Sequence, residues 1–104
     1  MSENQILNII KTIATQLFPN CKVILFGSRA RQDYAFNSDY DIMLIIDKTM
    51  TPAQKIPYRS QIRKELIKYR ILTDILIQSE EEVEIKRLLT GHIVKTIMRE
   101  GIAI

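Results

Sequence analysis

Residues 21–47 read CKVILFGSRARQDYAFNSDYDIMLIID, and this stretch decides the fold. Cys21 to Phe26 is a short apolar, β-branched run ending in Gly27-Ser28, the pattern of a buried strand that delivers its end to a tight turn. A short helix is expected through Arg29 to Gln32. Asp33 to Ser38 is polar and turn-rich. Asp39 to Asp47 then reads as a second strand, whose centre Ile42 to Ile46 can be buried on both faces. Only twelve residues (27–38) separate the two strands, so an antiparallel hairpin is easier than a parallel crossover. That pairing brings Gly27 and Asp39 to the same end of the sheet.

Upstream, Ser2-x-x-Gln5 is a capping box, followed by Ile6, Ile9, Ile10, Ile13 and Leu17 at helical spacing until Pro19-Asn20. Downstream, Thr51-Pro52 opens a connection in which Pro57 is expected to delay the main helix. Tyr58, Ile62, Leu66 and Tyr69 give that helix its apolar stripe. Ile71 to Gln78 is a third strand. A helix between strands two and three makes a right-handed βαβ crossover, so these strands should run parallel, with Asp74 near the level of Asp39 and Asp41.

Ser79-x-x-Glu82 is a second capping box, and Glu80, Glu81, Glu82 and Glu84 favour the positive end of a helix that Gly91 terminates. A last helix spans Ile93 to Glu100, and the apolar tail Ile102-Ala103-Ile104 is left to pair as an edge strand or to dock on a partner. The expectation is one domain over residues 1–104, of α/β (α+β) class, with helices packed around a small mixed sheet.

Composition excludes several classes. A hydrophobic fraction of 46% with 26% charged residues is that of a globular protein. No apolar run approaches the roughly 20 residues that span a bilayer. The start Met1-Ser2-Glu3-Asn4 lacks the basic segment and apolar stretch of a secretory signal, so the expected location is the cytoplasm. A single cysteine, Cys21, fits that location and reads as a buried structural thiol. Net charge +3 suits a phosphate-rich or acidic partner without pointing to nucleic acid alone.

The chemistry lies in Gly27-Ser28, ten residues (29–38), and Asp39-Tyr40-Asp41. Period-two alternation puts Asp39 and Asp41 on one face of strand two, and Asp74 on the face of strand three that carries Leu72 and Leu76. Three carboxylates could converge there. Such a group repels itself when empty, and one or two Mg²⁺ ions turn the repulsion into coordination. The metals would bridge triphosphate oxygens and align a hydroxyl for in-line attack at the α-phosphorus, with pyrophosphate leaving. Asp74 is the best candidate for general base. Ser28 and the backbone N–H groups after Gly27 would hold the β- and γ-phosphates. Of the two arginines that follow, Arg29 adjoins the turn and is favoured as a phosphate contact, while Arg31 could pair with Asp33 on the surface.

The run Gly27-Ser28-Arg29-Ala30-Arg31-Gln32-Asp33-Tyr34, then Ser38-Asp39-Tyr40-Asp41-Ile42, resembles the minimal nucleotidyltransferases of the DNA polymerase beta superfamily. Thr73-Asp74-Ile75-Leu76 and Arg99-Glu100-Gly101 extend the resemblance over nearly the whole chain. It implies the nucleotidyltransferase fold, with Gly27 and Ser28 as the nucleotide-binding turn, Asp39 and Asp41 as metal ligands, and Asp74 as the third carboxylate. Mg²⁺ is then the cofactor and ATP the substrate. Proteins of this kind are commonly antitoxins of an all-helical HEPN ribonuclease toxin, so the resemblance also implies transfer of AMP to a toxin tyrosine and a hetero-oligomer with that toxin. Gln32 departs from the pattern, since many relatives carry glycine there.

Three alternatives stay beside this reading: an inactive module that neutralises the toxin by occlusion, transfer to RNA, and transfer to a small molecule. Arg59, Arg63, Lys64, Lys68 and Arg70 enrich the third helix in positive charge, which reads first as a solvated face and second as a surface for RNA or an acidic partner. Arg87 and His92 have the Arg-x4-His spacing of HEPN ribonucleases, but Gly91 interrupts any helix that would present both, so His92 is read as a surface residue. One histidine and one cysteine disfavour a zinc site.

Overall fold

The computed structural model describes residues 1–35 and 37–104. The turn-rich reading of 33–38 therefore falls outside the described residues at Phe36. Helix α1 spans Glu3–Leu17, strand β1 Lys22–Phe26, helix α2 Gly27–Arg31 and strand β2 Tyr40–Ile46. Helix α3 spans Pro52–Ile67, strand β3 Thr73–Ser79, helix α4 Glu80–Lys86, helix α5 Ile93–Glu100 and strand β4 Ile102–Ala103. The sheet order is β3-β2-β1-β4. β1 pairs antiparallel with β2 and with β4, and β2 pairs parallel with β3. This is the mixed sheet that the hairpin and the crossover require, with the apolar tail as an edge strand.

Alternation along β2 separates two cores. Tyr40, Ile42, Leu44 and Ile46 face α1 and α3, where Ile10, Ile13, Ile62 and Leu66 cover them. Met43 and Ile45 face the other way, onto Val83 of α4 and Val94 and Ile97 of α5. Burial on both sides explains why β2 reads as a continuous apolar run. Asp41 is the one residue of that strand left half-buried.

Both capping boxes form. Ser2 Oγ accepts from the N–H of Gln5 at 3.2 Å, and Ser79 Oγ accepts from the N–H of Glu82 at 3.0 Å. A third box corrects the expected start of the main helix. Thr51 Oγ1 accepts from the N–H of Gln54 at 3.2 Å, and Gln54 Oε1 accepts from the N–H of Thr51 at 2.9 Å. With Pro52 at the first position, α3 therefore begins before Pro57 and carries it inside. Pro57 forfeits one helical hydrogen bond. The cap and the buried Lys55, whose Nζ donates to Glu82 at 3.0 and 3.1 Å, offset that loss.

Two further expectations are corrected. Helix α4 ends at Lys86, and Gly91 lies in the following connection with φ +79, so the glycine shapes the turn into α5 and does not terminate α4. His92 caps α5, its Nδ1 accepting from the N–H of Val94 at 3.1 Å. Tyr58 and Tyr69 stay exposed, Tyr58 meeting the ring of Phe18 at 4.9 Å and Tyr69 lying beyond the end of α3. No helix among the described residues is long and apolar enough to cross a membrane.

Candidate active site

The end of β1 delivers the turn. Gly27 has φ +71, a conformation that L side chains rarely adopt, and a Cβ built there would run into the carboxylate of Asp41, 3.0 Å from its Cγ and 3.2 Å from its Cβ. Glycine is thus required twice at this position. The register explains the approach: Phe26, the residue before the turn, lies opposite Asp41 on β2.

On the other side of Asp41, the parallel ladder places Asp74 directly beside it. Both side chains emerge on the face that carries Met43 and Leu76, at the end of the sheet where β1 finishes and β2 and β3 begin. Neither carboxylate has a hydrogen bond or ion pair among the described residues. Burial pushes the Asp41 carboxyl above its ordinary value, and the charges of Asp74 and Asp39 push it further, while Arg31 pulls it down.

Asp39 sits differently. It lies just before β2, is exposed, and lines a cleft with Arg63, Leu72 and Thr73 on the α3 side of the sheet. Its charge reaches Asp41. Among the described residues, however, no three carboxylate, histidine or cysteine side chains gather as a ready metal cage. What stands together is the pair Asp41 and Asp74, with Asp39 at its margin.

The donor set fits a hard divalent cation. Oxygen ligands without internal partners, one of them raised by its neighbours' charge, suit Mg²⁺, which is held through one or two carboxylates while phosphate oxygens and water complete the octahedron.

The two arginines of α2 do not share a role. Two residues apart on a helix, they point to opposite sides. Arg29 donates from Nε at 3.2 Å and from Nη2 at 2.8 Å to the carbonyl of Ser38, and its guanidinium lies 4.0 Å from the ring centroid of Tyr34 and 4.4 Å from that of Tyr40. It ties the turn to the loop that carries Asp39. Arg31 bonds Asp33 at 3.1 Å on the surface, yet its charge is the one felt by Asp41. Sequence reasoning favoured the residue nearer the turn. Its clamp partners, the rings of Tyr34 and Tyr40, flank the loop, and only the folded structure brings them onto Arg29.

Ser28 follows Gly27 in the first turn of α2 and is half-buried. Cys21 is half-buried and free, with burial raising its thiol. Arg87 pairs with Glu84 at 3.5 Å and His92 caps α5, so the two do not form a joint site.

The profile of the family described as "Polymerase beta, Nucleotidyltransferase" matches residues 8–104. A protein of Methanocaldococcus jannaschii named "Putative protein adenylyltransferase" is 32% identical over 80 residues, 77% of this chain and 73% of that protein. The crystal structure titled as a putative nucleotidyltransferase from Sulfolobus solfataricus superposes with a TM-score of 0.58 at 23% identity, over 95% of this chain and 76% of that one, a likeness of fold.

Proposed function

This chain belongs to the polymerase beta nucleotidyltransferase family, and we propose that it is a Mg²⁺-dependent adenylyltransferase that moves AMP from ATP to a hydroxyl of a partner protein. The observation that carries this reading is the in-register pair Asp41 and Asp74, of which Asp41 packs against Gly27 of the turn. In its fuller form the partner is a HEPN ribonuclease toxin, the acceptor a tyrosine hydroxyl, and this chain the antitoxin that binds and modifies it. The resemblance of the motifs and the name of the archaeal relative support that form.

Asp41 and Asp74 would hold the cation, with Asp39 joining when substrate is bound. Bound Mg²⁺ supplies neutralisation of the phosphate charge and a fixed alignment of the triphosphate. Gly27 lets the Asp41 carboxylate close against the turn, and Ser28 with the backbone N–H groups of α2 donates to the phosphate oxygens. Arg31, whose charge reaches Asp41, adds positive charge where the leaving group develops negative charge. Asp74 is exposed and takes the proton of the acceptor hydroxyl. The acceptor oxygen then bonds to the α-phosphorus, the bond from that phosphorus to the bridging oxygen breaks, and pyrophosphate carries the electron pair away.

Incubation with Mg²⁺, ATP labelled at the α-phosphorus and a HEPN protein encoded beside this chain tests the reading. Label on a tyrosine of the HEPN protein, located by mass spectrometry, is the expected result. Neutralisation that persists unchanged in Asp41→Asn and Asp74→Asn variants, with no label transferred, would sink it in favour of occlusion.

A further inference from the structure

The backbone of Asp39 is held from both sides. The peptide before it carries the Ser38 carbonyl, which accepts from Arg29 Nη2 at 2.8 Å and from Nε at 3.2 Å. The peptide after it carries the Tyr40 N–H, which donates to the Leu72 carbonyl at 2.9 Å and joins β2 to β3. With both flanking peptide planes fixed, little backbone rotation is left at Asp39. Its carboxylate, by contrast, is exposed and has no hydrogen bond or ion pair among the described residues.

Arg29 is itself anchored on three elements. Its guanidinium starts from α2 and lies 4.0 Å from the ring centroid of Tyr34 and 4.4 Å from that of Tyr40. Tyr40 is buried at the start of β2, and the Tyr34 hydroxyl donates to Glu3 of α1 at 3.2 Å. Ser38 is held in turn, its Oγ accepting from the N–H of Ala35 at 2.9 Å and its N–H donating to the Ala35 carbonyl at 3.0 Å. A planar guanidinium can give two N–H groups to one carbonyl while its face meets aromatic rings, and an ammonium cannot do both. These contacts also keep Arg29 from the carboxylate pair, because Tyr40 packs on the α1 and α3 face of the sheet and Asp41 emerges on the other. A phosphate contact would require Arg29 to leave them.

We propose that Arg29 is a positioning residue that acts through Asp39: it holds the Asp39 backbone so that the carboxylate joins the cation by side-chain rotation alone, and it does not touch the nucleotide. The charge of Asp39 already reaches Asp41 from where it stands. The proposal rests on the reading of Asp39, Asp41 and Asp74 as the cation site of a transferase.

The test reads cation binding, so that it does not depend on turnover. Binding of Mn²⁺, a paramagnetic stand-in for Mg²⁺, is followed by electron paramagnetic resonance on the full chain with α,β-methylene-ATP, which cannot transfer AMP. Arg29→Met should weaken Mn²⁺ binding about tenfold, and Arg29→Lys about as much, since the charge stays while the two-point grip is lost. In an Asp39→Asn background, Arg29→Met should weaken binding by less than about twofold more, because the group it acts through is already altered. A residue on the phosphates, or one that serves folding alone, would give losses that multiply. Should Arg29→Met not fold, the same cycle is run with Arg29→Lys. Losses that multiply, or full Mn²⁺ affinity in Arg29→Met or in Arg29→Lys, would each overturn the proposal. A wild-type chain that binds no Mn²⁺ would overturn the cation site and the proposal with it. Mn²⁺ binding that follows this pattern in a chain that moves no AMP from ATP would overturn the transferase reading and leave the role of Arg29 standing.

Discussion

The carboxylate of Asp41 fills the space that a side chain at Gly27 would need. Strand β1 ends and strand β2 begins at that contact, so the turn and the carboxylate face each other across one backbone pairing. A site for phosphate and cation is thereby built from two neighbouring strand ends.

Gly27→Ala meets both the carboxylate and a backbone angle of φ +71. The expected cost is about 1–3 kcal/mol of folding stability, read by urea denaturation, together with loss of Mg²⁺-dependent ATP binding by calorimetry. Wild-type stability and affinity in this variant would contradict the geometry.

Asp41→Asn separates stability from function. Because burial and the charges of Asp74 and Asp39 raise the folded carboxyl, the protonated form is favoured in the folded state. The stability this contributes is present below the ordinary carboxylate value and is lost as pH rises through the raised one. Without metal at neutral pH the variant should therefore melt higher than wild type, by roughly 2–4 °C, and the difference should vanish near about pH 4. Adding Mg²⁺ with ATP should raise the melting temperature of wild type and leave the variant where it was.

Gln32 occupies the left-handed region with φ 62, ψ 27 at the end of α2. Glycine removes the Cβ strain of that conformation, so Gln32→Gly should gain up to about 1 kcal/mol in chemical denaturation without changing nucleotide affinity. The glutamine in a position suited to glycine therefore strains the turn and leaves the site in place.

Lys55 and Glu82 lock α3 to α4 at the far end of the sheet, with side chains 6% and 19% exposed. Burial alone would raise the Glu82 carboxyl, but the Ser79 N–H and the Lys55 ammonium outweigh it and hold it below its ordinary value. That contribution is present above the ordinary carboxylate range and is lost as pH falls through the lowered value. Glu82→Ala leaves Lys55 buried and unpaired and should cost about 3 kcal/mol at neutral pH, less in acid. Equal losses at both pH values would argue for packing alone.

Much of this was legible in the residues. The parity of Asp41 and Asp74 along their strands, with the short β1–β2 connection and the helical β2–β3 crossover, fixes which face and which end they share. Arg29 was not legible, because spacing from the turn says nothing about side-chain direction, and its partners Tyr34, Ser38 and Tyr40 lie across a loop. Pro57 misled for a local reason. The Thr51 and Gln54 pairing that starts α3 is a capping box outranking a proline two turns in. Asp39 reads as a strand residue by alternation, yet it precedes β2, where the pleat no longer dictates its face.

The central claim is nucleotidyl transfer through Asp41 and Asp74. Parallel reactions with ATP labelled at the α- or the γ-phosphorus, Mg²⁺ and the partner protein test it most directly, with pyrophosphate measured in the same tube. The account predicts α-label on the partner, γ-label only in pyrophosphate, one pyrophosphate per AMP transferred, and neither product with Asp41→Asn or Asp74→Asn. Transfer of γ-label, or α-label that persists in both variants, would contradict it.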